Sequence, residues 1–335
     1  MEKSKRDLKL DIIRLFALFC VVCVHYFLNS NFYQTTVSGT RMFLMVVTRS
    51  FFIICVPLFI LLTGYLMNKK KLSKNYYKGI IKILVIYFIC SIIYHLFSYF
   101  YLGNPVTIDS FFHDFFVFSG TSYAWYVNLY IGLFLMIPFL NIIVDNIKDK
   151  KMFNSLLITL FVIIGLPSTV NKFYDLLPTY WVSLYPVLYY FLGAYASRYE
   201  IKLSFKKNLI FLLIILLLDG IANYNFFYGD FYKFIPFNDY FGGTVILIAF
   251  LTFNLLLKIK IKYTDKKAII LKTLSDAVFG AYLLSCVFDR VFYDHFIKSA
   301  LYAPLIVLSV YILSLLSSII INFGYNKVKS LFVKK

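Results

Sequence analysis

Along the chain, long apolar stretches alternate with short polar ones. Runs of about 18 or more apolar residues are long enough to cross a bilayer as helices. Ten are read here, at about 10–28, 42–67, 79–101, 123–146, 153–170, 181–197, 208–224, 240–257, 268–290 and 299–323. The pattern predicts an all-α, polytopic membrane protein of about ten transmembrane helices, with residues 1–335 forming a single membrane domain. No internal repeat, low-complexity linker or soluble terminal domain is legible.

The polar segments give the alternation a direction. Six of them are basic: "EKSKRDLK", "NKKKLSKNYYK" continuing to Lys82, "KDKK", "RYEIKLSFKK", "KIKIKYTDKK" continuing to Lys272, and "NKVKSLFVKK". Together they hold most of the 34 Lys and Arg residues. With ten spans, all six fall on one side, and the opposite loops hold only Arg41, Lys172, Lys233, Arg290 and Lys298. The positive-inside rule then predicts that both termini are cytoplasmic.

Composition agrees. The chain is 61% hydrophobic and 15% charged, against about 25% charged in soluble domains, and its mean hydropathy is +0.78. The net charge of +18 raises nucleic acid as a partner, but no nucleic-acid module accompanies it. The charge is therefore assigned to topology, and membrane lipid is the surrounding partner. The first apolar stretch is too long for a cleavable signal and lacks a small-residue cleavage site, so the first helix is expected to persist. All five cysteines lie inside spans. Cys20 and Cys23 form a C-x-x-C pair without further ligands, so they read as small hydrophobes and no metal is expected.

Candidate chemistry concentrates in the first span. "LDIIRLFALFCVVCVHYFL", residues 10–28, carries Asp11, Arg14 and His25. The step from Arg14 to His25 is within about 20° of three full turns, so both project from one helix face about 16 Å apart. Asp11 lies one turn below Arg14. Charged groups inside a span cost about 2.5–3.5 kcal/mol each on insertion scales, and those retained face a protein interior or an aqueous cavity. Two readings follow. In one, the helix lines a polar site. In the other, Asp11 and Arg14 pair with each other at the interface, snorkelling to water, and His25 only makes a hydrogen bond near the opposite surface.

Other intramembrane polar groups are secondary candidates. Arg49 lies about two turns inside the second span and can stabilise an oxyanion, hold an acidic acceptor or form a structural ion pair. Trp125 starts the fourth span, either to stack on a sugar or to anchor the interface. Asp219 and Asp276 are read as Arg partners or helix caps, His95 as a helix–helix hydrogen-bonding residue, and His113 and His295 as solvent-facing loop residues. Pro57 and Gly64 read as a kink and a close-packing point on the second span.

These residues carry a resemblance. "LDIIRLFALFCVVCVH" resembles the opening of the acyltransferase-3 family of integral membrane acyltransferases, with its Leu-Asp, an Arg three residues after the Asp, and a His after ten intervening residues. "VPLFILLTGYLM" at 56–67 is similar to the family's second-helix signature, with Thr63 where Ser is usual. "AWYVNLYIGLFLMIPFL" at 124–140 resembles its Trp-containing fourth helix, and "LSDAVFGAYLLS" at 274–285 its late Phe-Gly and Tyr-Leu segment. The chain departs where many relatives place a His: Ser285 stands there, followed by Cys286.

The resemblance implies a stand-alone, polysaccharide O-acetyltransferase-like member in the bacterial cytoplasmic membrane. Such a protein moves an acyl group, most often acetyl, from cytoplasmic acetyl-CoA or another acyl-CoA to a hydroxyl of an envelope glycan or lipid-linked sugar. It implies Arg14 as phosphate anchor for CoA, Asp11 as the residue orienting Arg14, and His25 as general base or acyl carrier. Arg49 and Trp125 would contact the acceptor. A polysaccharide exporter or flippase is the alternative, although neither repeated halves nor broken helices are read in the sequence. A non-catalytic assembly or sensor subunit is third.

Overall fold

The computed structural model describes residues 6–172, 174–296 and 302–333. The described residues are helical with only two isolated β-bridges and no strand. The helices are α1 Leu8–Asn29, α2 Gly39–Phe52, α3 Cys55–Met67, α4 Lys74–Tyr77, α5 Gly79–Phe100, α6 Ile108–Phe116, α7 Trp125–Asn146, α8 Lys150–Val170, α9 Tyr185–Arg198, α10 Phe205–Phe226, α11 Gly243–Leu257, α12 Asp265–Phe296 and α13 Ala303–Val333. This is an all-α, polytopic membrane architecture. Residues 299–301, where the tenth expected span begins, and Lys298 lie outside the described residues.

Nine helical segments among the described residues are long and apolar enough to cross a membrane. The difference from ten lies at 181–197. Trp181 and the 3-10 turn Val182–Leu184 precede α9, which starts at Tyr185 with Pro186 in its first turn and has 14 residues. At helical rise it covers about 21 Å, short of the roughly 30 Å hydrocarbon core.

The second expected span is also divided. α2 ends at Phe52 and α3 begins at Cys55, with Ile53 and Ile54 between them. Pro57 has no N–H to offer the Ile53 carbonyl; the Cys55 thiol approaches that oxygen at 3.8 Å, and Leu58 N–H regains the helical ladder on Ile54 O at 2.9 Å. The kink expected at Pro57 is thus a two-residue interruption at Ile53 and Ile54, immediately before Cys55, within one continuous span, and the expectation of unbroken helices is corrected.

Contact density separates two compact units: Met1–Lys70 with Ile137–Lys262, and Lys71–Met136 with Tyr263–Lys335. In the first unit α3 packs along α9 with their backbones in contact. A Cβ on Gly64 would collide with the Tyr190 carbonyl, and one on Gly193 with the Leu61 carbonyl. Small residues at such crossings let membrane helices approach without lipid-excluding side chains between them. α10 packs on both α2 and α11, and α1 on α3, α2 and α11.

The loops of this unit sort to two ends. At one end, Val37 N–H donates to Asp230 O at 2.9 Å and Ser168 Oγ to Phe241 O at 2.7 Å, which gathers the α1–α2, α8–α9 and α10–α11 connections. At the other, Arg198 donates to Val144 O at 2.7 Å, Lys258 to Ile201 O at 3.2 Å, and Asn141 to Lys70 O at 2.7 Å. The segments gathered there are the basic ones. Within this unit the polar connections thus gather at two ends, with Lys70, Arg198 and Lys258 at the second.

In the second unit α12 packs along α13, where Ser318 Oγ donates to the Ala277 carbonyl at 2.6 Å, and α5 packs against α12 and α6. The helix α6 replaces an expected outer loop. It starts with a capping box at Thr107 and Ser110 and has no buried residue. His113 lies on α6, and His295 lies in the last turn of α12 rather than in a loop.

Candidate functional site

α1 is one unbroken helix capped by the Asp7 carboxylate on Lys9 N–H at 3.1 Å, so the Arg14–His25 register inferred from spacing holds. Arg14 is half-buried and His25 is 7% exposed. Asp11 is 2% exposed and accepts from Arg6 Nε at 2.7 Å and Nη2 at 2.6 Å. This two-pronged partner was not singled out from sequence, because Arg6 lies before the span. Cys20, Cys23 and Cys55 sit within electrostatic reach of one another in the same unit, all as buried thiols.

Arg49 is fully buried in the last turn of α2. Its Nε donates to the Tyr33 hydroxyl at 3.3 Å and its Nη1 to the Asn238 carbonyl at 2.5 Å. The guanidinium carbon stands 5.3 Å from the Tyr232 ring centre and 5.0 Å from that of Phe234. Among the described residues it forms no ion pair within 4.0 Å, and Nη2 has no hydrogen-bond partner. Asp219 and Asp239 lie within electrostatic reach. A buried guanidinium in that state is held by carbonyl, hydroxyl and ring faces rather than by a carboxylate, which excludes the simple ion-pair reading.

Behind Arg49 lies a second polar group. Asp219, 1% exposed on α10, accepts from Thr244 Oγ1 at 2.6 Å and Asn223 Nδ2 at 3.0 Å. Lys172, just past α8 and 8% exposed, places its ammonium 3.8 Å from the Phe237 ring centre. Burial pushes that ammonium down to about 8, and the Asp219 charge opposes the shift. Asp219 is therefore neither a helix cap nor an Arg partner at bonding distance. Asp276 pairs with Lys272 at 2.9 Å.

The second unit holds Trp125, 41% exposed at the first residue of α7, its ring 6.1 Å from that of Tyr126. Arg14, His25 and Arg49 belong to the first unit. His95 is 8% exposed, with Nδ1 2.9 Å from Ser91 O and Nε2 3.3 Å from the Asp114 carboxylate. Asp289, 1% exposed within the ninth span, accepts from the Tyr123 hydroxyl at 2.7 Å. It was overlooked in the sequence although an acidic residue inside an apolar run is a readable signal. Ser285 turns its hydroxyl back to the Tyr282 carbonyl at 2.8 Å.

No curated protein and no solved structure matches this chain. A family model described as an acyltransferase domain matches residues 7–323, a stretch that runs from the cap of α1 into α13 and takes in Asp11, Arg14, His25, Arg49 and Trp125. A polytopic helical protein with a polar face on its first helix, matched over nearly its whole length, belongs to the acyltransferase-3 family of membrane acyltransferases.

Proposed function

We propose that the protein takes an acetyl group from acetyl-CoA on the cytoplasmic side of the bacterial cell membrane and transfers it to a hydroxyl of an envelope glycan or lipid-linked sugar. The observation that carries this reading is the continuity of α1. It holds Arg14 and His25 on one face about 16 Å apart, with Arg14 toward the end of the first unit that collects the basic segments. Both termini and those basic segments lie in the cytoplasm.

The chemistry follows from the residue types. The planar guanidinium of Arg14 is suited to grip a CoA phosphate with two parallel hydrogen bonds. The pantetheine arm then runs along the helix face and brings the thioester to His25. The acceptor hydroxyl oxygen attacks the thioester carbonyl carbon, His25 takes the hydroxyl proton, the C–S bond breaks, and CoA leaves as its thiol after receiving a proton. In the covalent variant the imidazole itself attacks, releases CoA, and passes the acetyl group to the acceptor in a second step. Arg49 serves the acceptor side in either route.

One observation favours the exporter reading: the break between α2 and α3 resembles the discontinuous helices of transporters. Family membership weighs against it. The discriminating experiment is thermal unfolding of the detergent-solubilised protein with and without CoA, together with thiol release from acetyl-CoA. Stabilisation by CoA and slow thiol release support the transferase. A folded protein indifferent to both supports the exporter.

A further inference from the structure

In the second unit, α5 and α6 enclose a groove that the proposed reaction does not use. Ring contacts set the direction of the pair. Phe111 lies 5.1 Å from His95 and Phe115 lies 5.0 Å from Tyr87, so α6 runs back along α5. Asn104 N–H donates to Ser98 O at 3.1 Å and folds the connection onto the end of α5. At this turn end a groove of about 580 Å³ opens between Ile92, Leu96 and Phe100 on α5 and Ile108 and Phe112 on α6, all of them exposed. The volume falls in the roughly 300–1,000 Å³ range of small-molecule pockets.

The polar groups of the groove are unevenly placed. His95 lines its wall, but Nδ1 stands 2.9 Å from Ser91 O and Nε2 3.3 Å from the Asp114 carboxylate, so neither ring nitrogen is left for a ligand. Tyr99, next to last in α5, and Thr107, the cap of α6, bring hydroxyls to the turn end. The groove therefore has a hydroxyl-bearing end and an apolar length of about 12 Å from Ile92 to Phe100. A sugar, a nucleotide or a pantetheine arm would lose hydration along that length and regain no hydrogen bonds. An alkyl chain has none to lose. The setting names its source. α5 belongs to the span Lys74–Phe100, of whose most apolar stretch only 28% is buried within the protein, so the groove is continuous with a lipid-facing helix surface. It runs along the span, and its hydroxyls stand where the span ends, the level at which tyrosines meet headgroups. We propose that the α5–α6 groove is a binding site for one acyl chain of a bilayer phospholipid, with the ester and phosphate at Tyr99 and Thr107. The chain packs on α6, a helix with no buried residue of its own. This site needs no acyl-transfer chemistry.

The test has two arms on the full-length protein. In the first, the wild type is reconstituted in vesicles of phosphatidylethanolamine and phosphatidylglycerol that carry a photoreactive group in one acyl chain. Label should concentrate on the peptides that hold residues 92–100 and 106–112. Label spread evenly over the exposed span faces, or absent from both peptides, overturns the proposal. In the second, protein purified in mild detergent is examined by native mass spectrometry, and a retained phospholipid is expected. Leu96→Trp fills the groove from α5 and Ile108→Trp fills it from α6. Each should lower retention about tenfold, equivalent to about 1.4 kcal/mol of lost fit. Leu135→Trp, on the exposed face of α7 outside the groove, should retain the lipid as the wild type does. The unfolding temperature of each variant reports its fold, and the wild-type labelling pattern decides the matter if neither groove variant folds. No retained phospholipid, an isoprenoid lipid in its place, or folded groove variants that keep the phospholipid like the wild type overturns the proposal.

Discussion

The Asp11 carboxylate is clasped by Arg6 across five residues, with both oxygens bonded at 2.6 and 2.7 Å and the carboxylate almost completely excluded from solvent. The clasp ties the residues before α1 to its first turn, the turn that precedes Arg14. Removing Arg6 alone strands a buried carboxylate. Arg6→Ala is therefore expected to destabilise the protein by about 1–3 kcal/mol, read as a lower unfolding temperature in detergent. Arg6→Ala combined with Asp11→Asn should cost less than Arg6→Ala alone, because the stranded charge is gone. Additive losses in the double variant would show that the two residues do not depend on one another.

For Arg14, substitution to Ala should weaken CoA binding about ten- to hundredfold, and substitution to Lys should restore part of it, because an ammonium keeps the charge and loses the fork. The readout is CoA-dependent thermal stabilisation. A folded Arg14→Ala protein that CoA still stabilises normally removes the phosphate role.

Much of this architecture was legible in the chain, for identifiable reasons. Hydropathy marks spans because an apolar segment long enough to cross a bilayer has few alternatives, and charge alternation marks loops because translocating Lys and Arg is costly. What escaped was short-range backbone detail. The break at Ile53 and Ile54 lies inside an unbroken apolar run, so no polarity signal announces it, and Pro57 alone reads equally well as a kink. The α9 segment is apolar over a full span, yet Pro186 sets its start and shortens it. The same holds for the candidate site. Arg14, His25 and Arg49 stand out as charges or imidazoles in apolar runs. Tyr33 does not, since it sits at a span edge where aromatic residues are ordinary, and only tertiary packing brings its hydroxyl to Arg49.

The short helix α9 yields a topological test. Reporters fused after residues 150 and 203 should report cytoplasm, and those after 35, 175 and 232 the outside. Residues 175 and 203 matter most, because α9 is the one connection between them. If both report the same side, α9 does not cross, and the cytoplasmic placement of the C-terminus falls with it.

A pH dependence is expected from Asp114 on α6. Partial burial by itself raises this carboxyl, but hydrogen bonds from His113, Ser119 and His95 outweigh it and hold the group below its ordinary 3.8. A carboxylate whose folded-state value is depressed contributes stability above its unfolded value and loses it as pH falls through the folded one. Unfolding curves of the wild type should thus steepen in their pH dependence below about pH 4. Asp114→Asn should flatten that segment and leave the curves near pH 7 shifted by a constant. An unchanged acid limb in Asp114→Asn would assign acid sensitivity to other carboxylates.

The mechanism depends most on His25. If it serves at the thioester, His25→Ala should insert, fold and bind CoA, because the Arg14 anchor lies three turns away, about 16 Å by helix rise. Transfer should fall by roughly 10²–10⁴, the contribution of a positioned proton-transfer group. His25→Gln retains hydrogen-bonding capacity but cannot accept the proton near neutral pH, so it should resemble the Ala variant. A Gln variant with near-normal transfer would make His25 a structural hydrogen-bonding residue, and the interfacial reading of α1 would then prevail. The covalent route adds a separate sign: wild-type protein incubated with labelled acetyl-CoA and no acceptor should carry the label on the peptide spanning residues 15–41, and His25→Gln should carry none. Label absent from both, with transfer still dependent on His25, leaves direct attack by the acceptor hydroxyl, with the imidazole taking its proton.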